Sequence, residues 1–284
     1  MKHILFATKK QGRTIMKARL LIVFGIAALA IAASGTARAQ TTMTWTVAGN
    51  ERQAIVYAPA PVAATNAVSR PLVFAFHGHG GNMTNTAQQM HIQTVWPEAI
   101  VVYPQGLNSP GQPIDPNGDK TGWQYEANQA DGSVGNRDLD FFDAMVVTMK
   151  QKFAVNEKRI YATGFSSGGV FSYLLWAERS KTIAAIGEVA GRLWDSEQLT
   201  EPRAALVIAG RQDHTDLFTF QMQSLEKARQ ADSANGPGQP CGQNCMFYSS
   251  TTHTPVKTFI HPGGHVYPPG APVEIVKFLK AHHL

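Results

Sequence analysis

Five residues of this chain could carry out acyl transfer if folding brought them together. Ser166 stands in Gly164-Phe165-Ser166-Ser167-Gly168, directly after the apolar run 159–163 and directly before a helical pattern. A serine on such a sharp strand-to-helix turn is held in strained backbone geometry, and larger side chains two positions either way would strike neighbouring elements. Its hydroxyl is a weak nucleophile until a base takes the proton, and a neutral imidazole can do so near pH 7. His265 supplies that imidazole at the end of His261-Pro262-Gly263-Gly264-His265, and Asp213 supplies a carboxylate after the run Val207-Ile208-Ala209-Gly210. An aspartate there would fix the imidazole tautomer and stabilise the imidazolium. Asp216 and His261 compete for the same two roles, but Asp216 lies further past its strand and His261 sits almost at a strand end. The remaining pair is an oxyanion hole. His77-Gly78-His79-Gly80-Gly81-Asn82 follows the third apolar run, so the backbone N–H groups of His79 and Ser167 are expected to receive developing negative charge.

The elements that must position these groups are legible as short, nearly continuous apolar runs at 71–76, 100–103, 159–163, 183–189, 204–209 and 256–260. Runs buried on both faces are what a parallel sheet covered by helices requires. Helical spacing joins Leu139, Phe142, Val146 and Met149, then Val170, Tyr173, Leu174 and Ala177, and a last helix follows Pro272. Two alternating stretches at 42–47 and 52–57 precede them. The expected fold is therefore α/β, a mostly parallel, doubly wound sheet with antiparallel N-terminal strands. The three candidate side chains then fall beyond the carboxyl ends of strands, where open α/β sheets bind ligands. Residues 105–137, rich in Gly, Pro, Asn and Asp, are too long for an idle connection and are expected to cover part of a binding surface. Trp123 in that stretch and Trp194 after the 183–189 run are candidate walls for a flat or polymeric substrate.

Charge excludes a nucleic-acid partner. The chain is 284 residues with a formal charge of +5, but seven of its 25 basic residues lie in 1–39, which holds no acidic one. The remainder carries 18 basic against 20 acidic groups, a net charge of −2. Residues 1–39 read as a secretory signal: Lys17 and Arg19, the apolar stretch 20–33, then Ala37-Arg38-Ala39 before the expected cleavage. The 14-residue apolar stretch is short of the ~20 residues that span a bilayer, and Met16 is a second possible start. Residues 40–284 are expected to form one catalytic domain, secreted or periplasmic, with no membrane association once the signal is removed. Export favours oxidised thiols, and Cys241 and Cys245 are close enough to form a local disulfide contributing at most about 2 kcal/mol.

Two metal readings are set aside. His77, His79, His261 and His265 have plausible ligand spacings, but no carboxylate follows His79 closely and the surrounding glycines suit backbone approach better than ligand support. Asp115, Asn117, Asp119 and Glu126 fall at calcium-loop offsets, yet Lys120 replaces the needed glycine and Pro116 intrudes. A solvated loop is expected there, and no metal.

With these residues in place the chain resembles the feruloyl esterase and polyhydroxybutyrate depolymerase-like esterases, the carbohydrate esterase family one type of α/β-hydrolase. The resemblance rests on Phe76-His77-Gly78-His79-Gly80-Gly81, Gly122-Trp123-Gln124, the helix start at 138–142 and Arg159-Ile160-Tyr161-Ala162-Thr163-Gly164-Phe165-Ser166. It continues through Val189-Ala190-Gly191 and Gly263-Gly264-His265. It implies an α/β-hydrolase fold, secretion, and ester hydrolysis through an acyl-enzyme with no metal or organic cofactor. Ser166 would be nucleophile, His265 base and Asp213 acid, on small-molecule or polymer ester substrates. Two departures stand out: His79 occupies a position where many relatives carry cysteine, and Gly210-Arg211-Gln212-Asp213-His214-Thr215 replaces their usual acid segment. The second bears on substrate class more than on mechanism, and a polyamide of polyaspartate type is an alternative substrate open to the same scaffold. A non-catalytic exported polymer-binding protein is the alternative function.

Overall fold

A computed structural model describes Met1, residues 38–59 and residues 68–284. The chain divides into two units, Met1–Gly35 and Thr36–Leu284, and the second carries everything below. The expected signal segment lies outside the described residues, save Met1 and the strand residues Arg38 and Ala39.

The second unit opens with β1 (Arg38–Val47) and β2 (Asn50–Pro59), paired antiparallel. Next come β3 (Arg70–Phe76), α1 (Met83–Met90), α2 (Ile92–Val95) and β4 (Ile100–Pro104). A long excursion contains the two-residue strands β5 (Leu107–Asn108) and β6 (Thr121–Gly122) and ends at α3 (Arg137–Lys152). Strand and helix then alternate through β7 (Val155–Phe165), α4 (Ser167–Arg179), β8 (Ala185–Val189), β9 (Ala204–Gly210) and α5 (Phe218–Ala231). The chain closes with β10 (Gln239–Gly242), β11 (Cys245–Tyr248), β12 (Val256–His261) and α6 (Ala271–Lys280).

The main sheet runs β1-β2-β4-β3-β7-β8-β9-β12-β11-β10. Every pairing from β4 to β12 is parallel. The N-terminal edge is antiparallel as expected, and so is the far edge, where β12 pairs β11 and β11 pairs β10. That far hairpin is absent from the sequence expectation because 239–248 shows no apolar alternation. Cys241 and Cys245 are joined in a disulfide that closes its turn.

Period-two alternation explains why the central runs look continuous. Leu72, Phe74 and Phe76 of β3, with Ile160 and Ala162 of β7, pack one face against α3 and α4. Val73, Ala75 and Tyr161 pack the other against α1, α2 and α6. Each large apolar side chain so buried contributes about 1.5–3 kcal/mol, ample to hold strained loops at the strand ends. The helix α3 start has no side-chain cap of its own. Gln124 caps it from the excursion: its carbonyl accepts N–H from Asp138 and Leu139 at 3.0 Å each, while Asp138 accepts the Gln124 N–H at 2.9 Å. Buried Arg52 of β2 reaches the same Asp138 at 2.7 Å, so the excursion is tied to both helix and sheet.

Candidate active site

The turn after β7 has the expected strain. Ser166 sits at φ 55°, ψ −120° between the last residue of β7 and the first of α4, a conformation that costs about 1–3 kcal/mol. A Cβ on Gly164 would lie 2.2 Å from the Gly168 carbonyl oxygen, and one on Gly168 would lie 2.3 Å from that of Phe76. Only glycine lets β3, β7 and α4 approach this closely. The Ser166 N–H donates to Val189 O at 2.8 Å, which pins the turn to the end of β8.

Three loops meet at that serine. His265 Nε2 lies 2.8 Å from Ser166 Oγ, and His265 Nδ1 lies 2.8 Å from Asp213 Oδ2. The Asp213 carboxylate only accepts, so the ring proton sits on Nδ1 and Nε2 is left to accept from the serine hydroxyl. Asp213 is buried just beyond β9, and its position is fixed by N–H donors from Thr215 (2.9 Å) and Asp216 (3.1 Å) and by Gln221 Nε2 (2.9 Å). The two competitors have other work. Asp216 pairs with Arg192 at 3.2 Å. His261, whose pKa is lowered by burial, accepts the Gly263 N–H at 3.1 Å and so holds the glycine turn that presents His265.

The loop after β3 passes directly beside the serine. A Cβ on Gly78 would stand 3.4 Å from Ser166 Cβ. The N–H groups of His79 and Ser167 donate to no acceptor among the described residues. Ser167 opens α4, so its N–H also belongs to the positive end of a helix dipole. This juxtaposition is what an oxyanion hole needs.

Both imidazoles of the loop are anchored. His77 donates from Nδ1 to Gly78 O at 2.8 Å and accepts the Gly106 N–H at 2.9 Å, and burial lowers its pKa to about 4. His79 Nε2 bonds Asp115 Oδ2 at 2.8 Å. The expectation of a solvated loop is corrected at Asp115, which is buried and also accepts N–H from Asp119 (3.1 Å) and Lys120 (3.0 Å). Those backbone donors hold its carboxyl below the usual range, with the His79 ring adding to them. Asn117 and Asp119 do face solvent. Among the described residues no three His, Cys, Asp or Glu side chains converge on a common point.

A cleft of about 570 Å³, counted to its open mouth, lies over Ser166 and Ser167. Both candidate tryptophans line it. Trp123 is largely a packing residue: its Nε1 donates to His77 O at 2.9 Å and its ring lies against Phe76 and Phe171. Trp194 lies against Tyr125 with centroids 4.3 Å apart and the planes tilted by 40°. Sequence reasoning missed Tyr125, Ile114, Val170 and Arg192 in the lining. The only available signal for Arg192 was its place two residues before Trp194.

No family model matches the chain. It is 33% identical over 124 residues to a probable feruloyl esterase C of Aspergillus clavatus, a match covering 42% of this chain and 39% of that one. It is 30% identical over 129 residues to feruloyl esterase C of Emericella nidulans, covering 43% and 40%. The matches thus span about two fifths of those relatives' length. Among solved structures, acetyl xylan esterase from Aspergillus awamori superposes with a TM-score of 0.62 at 15% identity, over 84% of this chain and 99% of that one. The fold is that of the α/β-hydrolases, and the feruloyl esterase side of the motif resemblance is borne out.

Proposed function

We propose that the chain is an exported serine hydrolase that cleaves carboxylic esters through an acyl-enzyme. The observation that carries this reading is the unbroken Ser166–His265–Asp213 hydrogen-bond chain, with 2.8 Å at each link, beside two unclaimed N–H groups. Ser166 Oγ attacks the ester carbonyl as His265 Nε2 takes its proton, and the carbonyl oxygen, now negative, rests on the His79 and Ser167 N–H groups. The tetrahedral adduct collapses, His265 protonates the departing alcohol, and the acyl group remains on Ser166. Water then attacks with the same base, restoring serine and releasing the acid. Asp213 stabilises the imidazolium in both halves, and each oxyanion donor supplies on the order of 10²–10³ in kcat.

Relatives named feruloyl esterase and acetylxylan esterase/xylanase favour feruloyl or acetyl esters derived from polysaccharide, while polyhydroxyalkanoate-type polyester rests on the motif resemblance alone. The aromatic cleft suits a flat acyl group. Secretion or periplasmic residence accords with the signal-like leader and the Cys241–Cys245 disulfide. Ser166→Ala tests the core of the reading with p-nitrophenyl acetate. Turnover should fall at least about a thousandfold while the circular dichroism spectrum is unchanged. Activity that survives the substitution, or a wild type with none, refutes it. A rate panel on methyl ferulate, acetylated xylan and polyhydroxybutyrate film then ranks the substrates.

A further inference from the structure

The cleft contains a cation that the hydrolytic steps do not use. Arg192 lies two residues beyond the turn that follows β8 and lines the cleft together with Ser166. Its guanidinium carbon lies 4.2 Å from the Trp194 ring centroid and 4.7 Å from that of Phe220, so the group is held between two aromatic faces. Nε forms an ion pair with Asp216 Oδ1 at 3.2 Å. Among the described residues no acceptor bonds Nη1 or Nη2, although the side chain is only 16% exposed. Such an arrangement holds the guanidinium rigid, limits its hydration and leaves one N–H edge open towards the cleft.

We propose that Arg192 is a carboxylate-recognising subsite, selecting esters that carry an anionic group near the bond that Ser166 attacks. The proposal rests on the ester hydrolase reading and adds the substrate's charge to it. A planar guanidinium fork matches a carboxylate's two oxygens in a way that no point charge does. The rest of the lining cannot offer this: Ile114, Trp123, Tyr125, Val170 and Trp194 present apolar and aromatic surface, and the His79 ring is already bound to Asp115. Asp216 pairs with the fork on its Nε side and leaves the Nη1 and Nη2 edge without an acceptor among the described residues. A substrate carboxylate at the open edge would complete the coordination of the cation.

The test compares matched esters. Mono-p-nitrophenyl adipate and methyl p-nitrophenyl adipate differ in one charge on the acyl side, and 4-acetoxybenzoate and its methyl ester differ likewise on the alcohol side. The readout is the anionic-to-neutral ratio of kcat/KM, so a general loss of activity cancels. In one of the two pairs Arg192→Met should lower that ratio at least about tenfold, chiefly through KM, and Arg192→Lys should retain an intermediate part of it. A ratio that is unchanged by Arg192→Met in both pairs assigns Arg192 to packing and overturns the subsite, leaving ester hydrolysis intact. A wild type that prefers the neutral ester in both pairs overturns it without any variant. A wild type that turns over none of the four esters, nor p-nitrophenyl acetate, overturns the hydrolase reading and the subsite with it.

Discussion

Asp115→Asn should damage catalysis from outside the reacting atoms. Asp115 is 36 residues from His79 in sequence, yet its Oδ2 holds the His79 Nε2 at 2.8 Å and the Lys120 N–H at 3.0 Å, while Oδ1 holds the Asp119 N–H. All three neighbours donate, and a carboxylate, which only accepts, can take all three. Asparagine has one carbonyl, and its NH₂ group must face at least one donor. The His79 ring cannot swing away to compensate. A Cβ on Gly111 would already be 2.6 Å from its Cε1, and one on Gly122 2.7 Å from its Nδ1, so the ring fills a slot with no spare room. The NH₂ then opposes the Asp119 or the Lys120 N–H, so the turn that carries the clamp on the His79 ring shifts, and with it the backbone of His79, one of the two proposed oxyanion donors. Complete loss of such a donor costs on the order of 10²–10³ in kcat, so displacement by a few tenths of an ångström should cost about tenfold. The assay is steady-state hydrolysis of p-nitrophenyl acetate alongside thermal unfolding. The expected result is a kcat decrease of about tenfold with KM within about threefold, because the loss is felt in the transition state. An unchanged kcat in a folded variant refutes the coupling, and so does an effect confined to KM.

Two further perturbations test the scaffold. Gly164→Ala should yield little soluble protein or a markedly lower Tm, because its Cβ would meet a backbone carbonyl at 2.2 Å that no rotamer change can move; a normal Tm would show that the turn is looser than described. Asp232, buried after α5, has its carboxyl pushed up to about 8 chiefly by burial, partly offset by the Arg203 N–H at 2.7 Å. Its folded state therefore keeps a proton that the unfolded chain releases, so this group costs stability as pH rises from about 4 to about 8. Urea unfolding of Asp232→Asn and wild type should show the variant gaining on wild type by up to about 1.4 kcal/mol per pH unit in that window. Parallel pH profiles would exclude the effect.

The geometry of the proposed triad was legible because each candidate side chain follows a strand that announces itself. The 204–209 run ends next to Asp213, the 159–163 run next to Ser166, and burial on both faces makes such runs continuous rather than alternating. Period and turn chemistry are local signals. Asp115 depends on a partner from a different loop, and its Pro, Asn and Gly neighbours describe an exposed turn in every local respect. Arg192 is similarly silent, since only the tertiary fold brings Trp194, Phe220 and Asp216 around it. The β10–β11 hairpin failed for another reason. Its first strand, Gln-Pro-Cys-Gly, is exposed throughout, so pairing of β11 with β12 rather than its own pattern makes it a strand pair.

One stretch of chain, the excursion between β4 and α3, both braces His79 through Asp115 and walls the cleft with Ile114, Trp123 and Tyr125. For the proposed hydrolase, diet and speed are therefore inherited as one package. A chimera that exchanged this whole segment for a cousin's would import new taste and new turnover together. Trimming the outward-facing Gln112 or the 62% exposed Ile114 offers evolution, or a designer, a way to alter appetite while leaving the brace untouched.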